Sequence, residues 1–280
     1  MRAVNAMAEV GLVFGRELRK NFRSVKGILL AVLTLLGGFG VSMLLVWAEQ
    51  TQREMKGLTP DMVKAGQVEL LSRVYGEEQG RYLSDAPDVL LVLLNITVWL
   101  GPLLIALMSF DALSGEIQHR AVRYWTVRTR RSSYFAGKFL GVWAVVSAIT
   151  LAMSAVIWAV TIARGYAGAG ATLGWGIRFW LVSLPISAAW CGIATLVGSQ
   201  FRTPILSLLV IFATFFVLWL VRVIAGVAGW SWLAHVYPNL YDSYMLSPRI
   251  EEALKGFGGC AAFVVLTLGA GMMLFQRRDV

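Results

Sequence analysis

Acidic residues are missing from the middle of every long apolar run in this sequence, which removes one class of mechanism at the outset. Ion-coupled carriers keep ionisable groups at membrane depth, where such groups are costly and retained for a purpose. Here the one ionisable side chain inside a run is Arg222, near the run's end, where a long stem lets the charge reach the interface. No Gly-x-x-x-x-Gly-Lys-Ser/Thr phosphate loop occurs. Gly137-Lys138 is followed by Phe139 and lacks a glycine-rich lead-in, so no ATP is expected to bind this chain. His-Glu-x-x-His and Gly-x-Ser-x-Gly are also absent, which argues against an intramembrane hydrolase. The two histidines, His119 and His235, fall in different loops, so no metal site is expected. The two cysteines, Cys191 and Cys260, sit in apolar runs at different depths and are expected to be buried free thiols.

Charge is scarce as well: 15% of residues are charged and 58% hydrophobic. Soluble domains carry about a quarter charged residues, so the class is integral membrane protein. Six runs are long enough to cross about 30 Å of hydrocarbon in helical form. They are approximately 27–47, 89–110, 139–162, 179–198, 204–225 and 257–275. All are continuously apolar rather than alternating, so the expected fold is all-α, one transmembrane domain over 1–280, and not a barrel. The first run is too long for a signal-peptide core and lacks a small-x-small cleavage site, so it is expected to remain as an anchor.

Lysine and arginine set the orientation. With both termini cytoplasmic, the inner segments hold fifteen of the 25 basic residues and five acids. The formal net charge of +9 then belongs wholly to the inner side, and no nucleic acid is needed to explain it. The two longer outer loops are 49–88 and 226–256. In the first, Thr59 and Pro60 could start a short helix that Gly76 ends. The second carries Trp230, Trp232, Tyr237, Tyr241 and Tyr244, expected as an interfacial aromatic belt. Ser247-Pro248 is expected to start a further short helix before the last span.

Residues 2–23 read as an amphipathic helix. Val4, Met7, Val10, Phe14, Leu18 and Phe22 share one face, opposite Arg2, Asn5, Glu9, Arg16, Arg19, Lys20 and Arg23, with Leu12 and Val13 off the pattern. Such a helix lies in the membrane interface among lipid headgroups and, followed directly by a span, makes an elbow. The inner loop 111–138 is the other charged element, with six basic residues and two acids. Ser114 could cap a helix with Glu116 in its first turn, running through Ile117, Ala121, Val122, Trp125 and Val127. Ser132 or Ser133 could cap the third span. Tyr124 and Trp125, large aromatics among charges, are residue types enriched in protein interfaces.

The stretch Phe14-Gly-Arg-Glu-Leu-Arg-Lys-Asn-Phe-Arg-Ser24 before a span resembles the elbow of type-2 ATP-binding-cassette (ABC) exporter permeases. So does Ser114-Gly-Glu116 followed by a basic segment and Gly137-Lys-Phe-Leu-Gly141. One departure is that Ala121-Val-Arg-Tyr-Trp125 stands where the family has a Gly-Thr-Leu-like patch. The resemblance implies a permease subunit of an ATP-driven exporter in a prokaryotic cytoplasmic membrane, dimeric with a second six-span copy or homologue. Separate cytoplasmic ATPase subunits would carry the ATP and Mg. Coupling residues would be Arg16, Glu17 and Arg19 on the elbow, with Asp111, Glu116, Arg120, Arg123 and Trp125 on the loop. A substrate pathway would draw on Asn95, Thr97 and Ser109 of the second span and Ser207 and Thr214 of the fifth. The rival expectations are an ion-coupled secondary transporter and a non-transporting membrane scaffold.

Overall fold

The computed structural model describes residues 5–54 and 60–277. It is helical throughout the described residues, and six of those helices are long and apolar enough to span a membrane. The elbow is α1 (Ala6–Arg23), and the first span is α2 (Val25–Glu54). Two short helices, α3 (Pro60–Tyr75) and α4 (Glu77–Leu83), lead to α5 (Asp88–Ser109), the second span. Then come α6 (Ser114–Gln118), α7 (Ala121–Arg128) and the third and fourth spans, α8 (Arg131–Ala163) and α9 (Ala169–Gly198). The fifth span is α10 (Pro204–Ala228), followed by α11 (Ser231–Ala234), a 3-10 turn at Pro238–Leu240, α12 (Tyr241–Met245) and the sixth span, α13 (Ile250–Gln276).

Packing centres on α8 and α9. Helix α2 lies against α8, while α5 and α13 lie against α9. Residues such as Trp190 and Cys191 on α9 and Phe139 and Val142 on α8 fill the buried middle. In contrast α2, α10 and α13 leave wide apolar faces uncovered. The fifth span has clear local signals: Pro204 sits at its first turn, where the missing N–H costs nothing. Gly229 closes it in the left-handed region at φ 71°.

Several boundaries differ from the sequence reading. Helix α8 begins at Arg131, well before the expected span, so Ser132 and Ser133 lie inside it rather than capping it. Ser114 does not cap α6; its hydroxyl donates back to the Phe110 carbonyl, the usual alternative for a serine one turn along. The loop helix is not continuous either. It breaks at His119–Arg120, where Arg120 adopts φ 54°, a left-handed conformation uncommon for a residue with a Cβ. No separate helix forms at Ser247-Pro248, because Ile250 starts the last span directly and the 27 residues to Gln276 run unbroken. Short helices do precede that span, but as α11 and α12. Gly76, at φ 91°, separates α3 from α4 as expected. The Thr59 cap, the elbow residues Arg2 and Val4, and the last three residues lie outside the described part. Cys191 and Cys260 are buried free thiols.

Candidate coupling site at the elbow end

Helix α1 has three faces, not two. Met7 (82% exposed) and Phe22 (47% exposed) leave the apolar stripe open, as a lipid-facing surface requires. Arg19 and Arg23 are exposed on the basic side. Between them runs a third, buried face: Glu9, Val13, Glu17 and Asn21, spaced four residues apart along one side of the helix. Val13 falls off the sequence pattern, and Glu9 is buried although that pattern puts it on the basic face, because this narrow stripe docks on protein. It meets α8 at Gly137 and Gly141. A Cβ at Gly137 would lie 2.6 Å from the Val13 Cβ, and one at Gly141 would lie 2.6 Å from the Glu17 Cβ. Small residues one turn apart thus let the two backbones approach.

Just beside that crossing, Lys138 is almost completely buried. Its Nζ donates to Glu17 Oε2 at 2.5 Å and to Glu116 Oε1 at 2.7 Å. Glu116 also accepts from the Tyr134 hydroxyl, and Arg16 approaches it at 3.5 Å and Lys20 at 3.9 Å. Asn21 donates to Glu17 at 3.2 Å. Two carboxylates around one ammonium would leave a negative charge unbalanced, and the nearby Arg16 and Lys20 offset it. The node therefore joins three elements that are distant in sequence: α1 through Glu17, α6 through Glu116 and α8 through Lys138.

Apolar packing surrounds it. Val13, Leu113, Ile117, Val122, Tyr134, Phe135 and Phe275 form their own buried cluster. Helices α6 and α7 are accordingly keyed into the bundle rather than draped on it. Further ties repeat the pattern at its edges. Glu9 Oε2 accepts the Arg130 amide at 3.0 Å, which holds the Glu9 carboxyl below the usual range. Lys26 pairs with Asp111 and donates to the Met108 carbonyl at 3.2 Å. The Arg16 guanidinium lies 4.3 Å from the centre of the Trp125 ring.

The expected coupling residues therefore divide. Arg16, Glu17, Asp111, Glu116 and Trp125 are drawn together inside the node or at its rim. Arg19, Arg120 and Arg123 stay on the exposed surface, with Tyr124 at 55% and Val127 at 87% exposure. Gly11, Leu12 and Gly15 line an open notch of about 460 Å³ on α1, walled by Arg16, Arg19, Lys20 and Arg23. Lys138 was missed in the sequence because it looked like the topogenic charge at the end of a span.

The expected pathway residues do not share one wall. Asn95 opens to a cleft at the opposite end, and Thr97 lines an apolar groove of about 370 Å³ between α2, α5 and α8. Ser109 and Ser207 are buried close to Gly198, with the Ser207 hydroxyl unpartnered among the described residues. Thr97 and Thr214 each donate back to a carbonyl of their own helix. Arg222 lines the same opposite-end cleft as Asn95.

Six apolar helices, with an amphipathic helix before the first and charged short helices at one end, define a multi-pass membrane protein. The family model described as ABC-2 family transporter protein matches residues 12–248, most of the chain, and the protein belongs to that family. It is thus a permease-type membrane component of an ABC transporter. Such subunits have no ATPase domain of their own and work with ABC ATPase subunits. Among curated proteins, no individual relative matches the sequence.

Proposed function

We propose that this chain is the membrane half of an ATP-driven exporter, with its elbow end in the cytoplasm of a prokaryotic cell and its spans in the cytoplasmic membrane. The observation that carries this reading is the Lys138 node. It fastens the elbow and the loop helices to the third span, so a push on any of them is delivered to α8 and, through its packing, to α9. The exposed basic notch on α1 and the surface around Arg120, Arg123, Tyr124 and Val127 are where the ATPase docks. Their charge calls for an acidic rim on that partner. Glu17 and Glu116 work from inside, holding the docking surface at a fixed angle to the span. ATP and Mg belong to the partner, whose closure tilts the bundle by largely rigid motion.

The exposed faces of α10 and α13 suit a second six-span copy or homologue, with lipid covering the rest. The pathway runs along the second and fifth spans, where Asn95, Thr97, Ser109, Ser207 and Thr214 supply its few polar groups. In this conformation Asn95 and Thr97 line separate open clefts, and Ser109 and Ser207 become accessible when the spans separate.

Purifying the tagged chain from its native membrane tests the reading. Equimolar recovery of a soluble protein with a phosphate loop is expected. Clean isolation without one, together with solute movement driven by an ion gradient alone, would instead identify an ion-coupled carrier.

A further inference from the structure

At the end opposite the elbow, α3, α5, α10, α12 and α13 enclose a cleft of about 590 Å³. Its walls mix rings and charge: Trp99, Trp219 and Tyr244 stand with Arg222, Asp242 and Glu252. Trp99 (59% exposed) and Trp219 (38% exposed) line the opening, Trp219 with its ring centre 5.6 Å from that of Phe216. The α3–α4 hairpin holds the cleft's rim in place. Gln79 donates to the Ser243 carbonyl, and Glu78 pairs with Arg249 at the start of α13. Arg178 ties α4 to the end of α12 by donating to the Tyr82 hydroxyl and, at 3.1 Å, to the Ser247 carbonyl.

The geometry points to this cleft as a binding site for an amphipathic organic cation, a compact apolar body bearing one delocalised or substituted positive charge. Two carboxylates against one guanidinium leave the walls with a net negative charge. Indole and phenol rings add the attraction of their quadrupoles for a cation, which strengthens as the site dries. Asp242 is half-buried, and the groups that face it are Arg222 from α10, Tyr75 from α3, Tyr237 before α12, and Cys260 from α13. Glu252 lines the same cleft from α13. Arg222 is the one cation in that set, so it competes with a cationic ligand for Asp242. The placement follows from the fold alone, while the role as a late station on an export route rests on the function proposed above.

Equilibrium binding to the purified chain in lipid nanodiscs, without ATPase or ATP, separates the two ideas. The probes are tetraphenylphosphonium and tetraphenylborate, alike in shape and opposite in charge. Saturable quenching of tryptophan fluorescence by the phosphonium, with at least tenfold weaker binding of the borate, is expected. Asp242→Asn with Glu252→Gln should weaken the phosphonium about tenfold, whereas Arg222→Gln should tighten it severalfold while also requiring a folded cleft. Equal binding of the two ions, or phosphonium affinity untouched by both sets of changes, would overturn the proposal. A chain that binds the cation yet never recruits an ATPase would keep this site and refute the exporter reading.

Discussion

Lys138 illustrates how much a single buried charge can organise and how little of that shows in sequence. Desolvating an ammonium is costly, and here two carboxylates and their neighbours offset the cost. Removing one partner strands the others, so Lys138→Met should destabilise the protein by about 3–5 kcal/mol, seen as a fall in melting temperature. Replacing Glu17 and Glu116 with Met in the same background should recover most of that loss. If Lys138→Met alone melts like the wild type, the node is not the fastening described. Asp242 gives a pH prediction of definite sign. Burial pushes its carboxyl up to about 6 from an ordinary 3.8, against the Ser243 amide and Arg222, which pull it down. Its folded form therefore holds a proton more tightly than its unfolded form. The stabilisation is complete below the ordinary value and is lost as pH rises through about 6. Asp242→Asn should remove this slope, measured as melting temperature on either side of pH 6.

Among the elements, the elbow was legible only in part. Its length, basic face and lipid-facing stripe followed from periodicity, because those faces differ in hydropathy. The docking face Glu9–Val13–Glu17–Asn21 did not, since it mixes acid, amide and apolar residues and has meaning only beside Gly137 and Gly141. Even alanine at both glycines would force α1 away from α8. Gly137→Ala/Gly141→Ala should therefore speed tryptic cleavage at the elbow's basic residues severalfold; unchanged cleavage would mean the crossing is not held by that fit. The loop helix failed as one continuous element for a comparable reason. Arg120 turns left-handed at a cost of roughly 1 kcal/mol, which the burial of Ile117 and Val122 on either side offsets. No local propensity at Arg120 signals that bend. The short helix expected at Ser247-Pro248 was a cap signal that the start of the sixth span absorbed.

For the molecule as a whole, class and span count were written in the runs themselves, because continuous apolar stretches of this length have few other fates. Orientation rests on where lysine and arginine fall, and the buried state of Cys191 and Cys260 makes it simple to test. A cysteine introduced at Val127 should react with an impermeant maleimide only from the cytoplasmic side, and one at Trp232 only from outside. The opposite pattern would invert the topology. What no run could reveal was convergence: Glu17, Glu116 and Lys138 are each ordinary charges at a membrane edge until the helices bring them together. The claim that matters most is that force enters through the exposed surface of the loop and elbow, from an ATPase on another chain. Its most direct test is recovery of that ATPase on tagged protein when Arg120 and Arg123 are both changed to Glu. Loss of the ATPase with membrane insertion intact is predicted, and undiminished recovery would contradict the account.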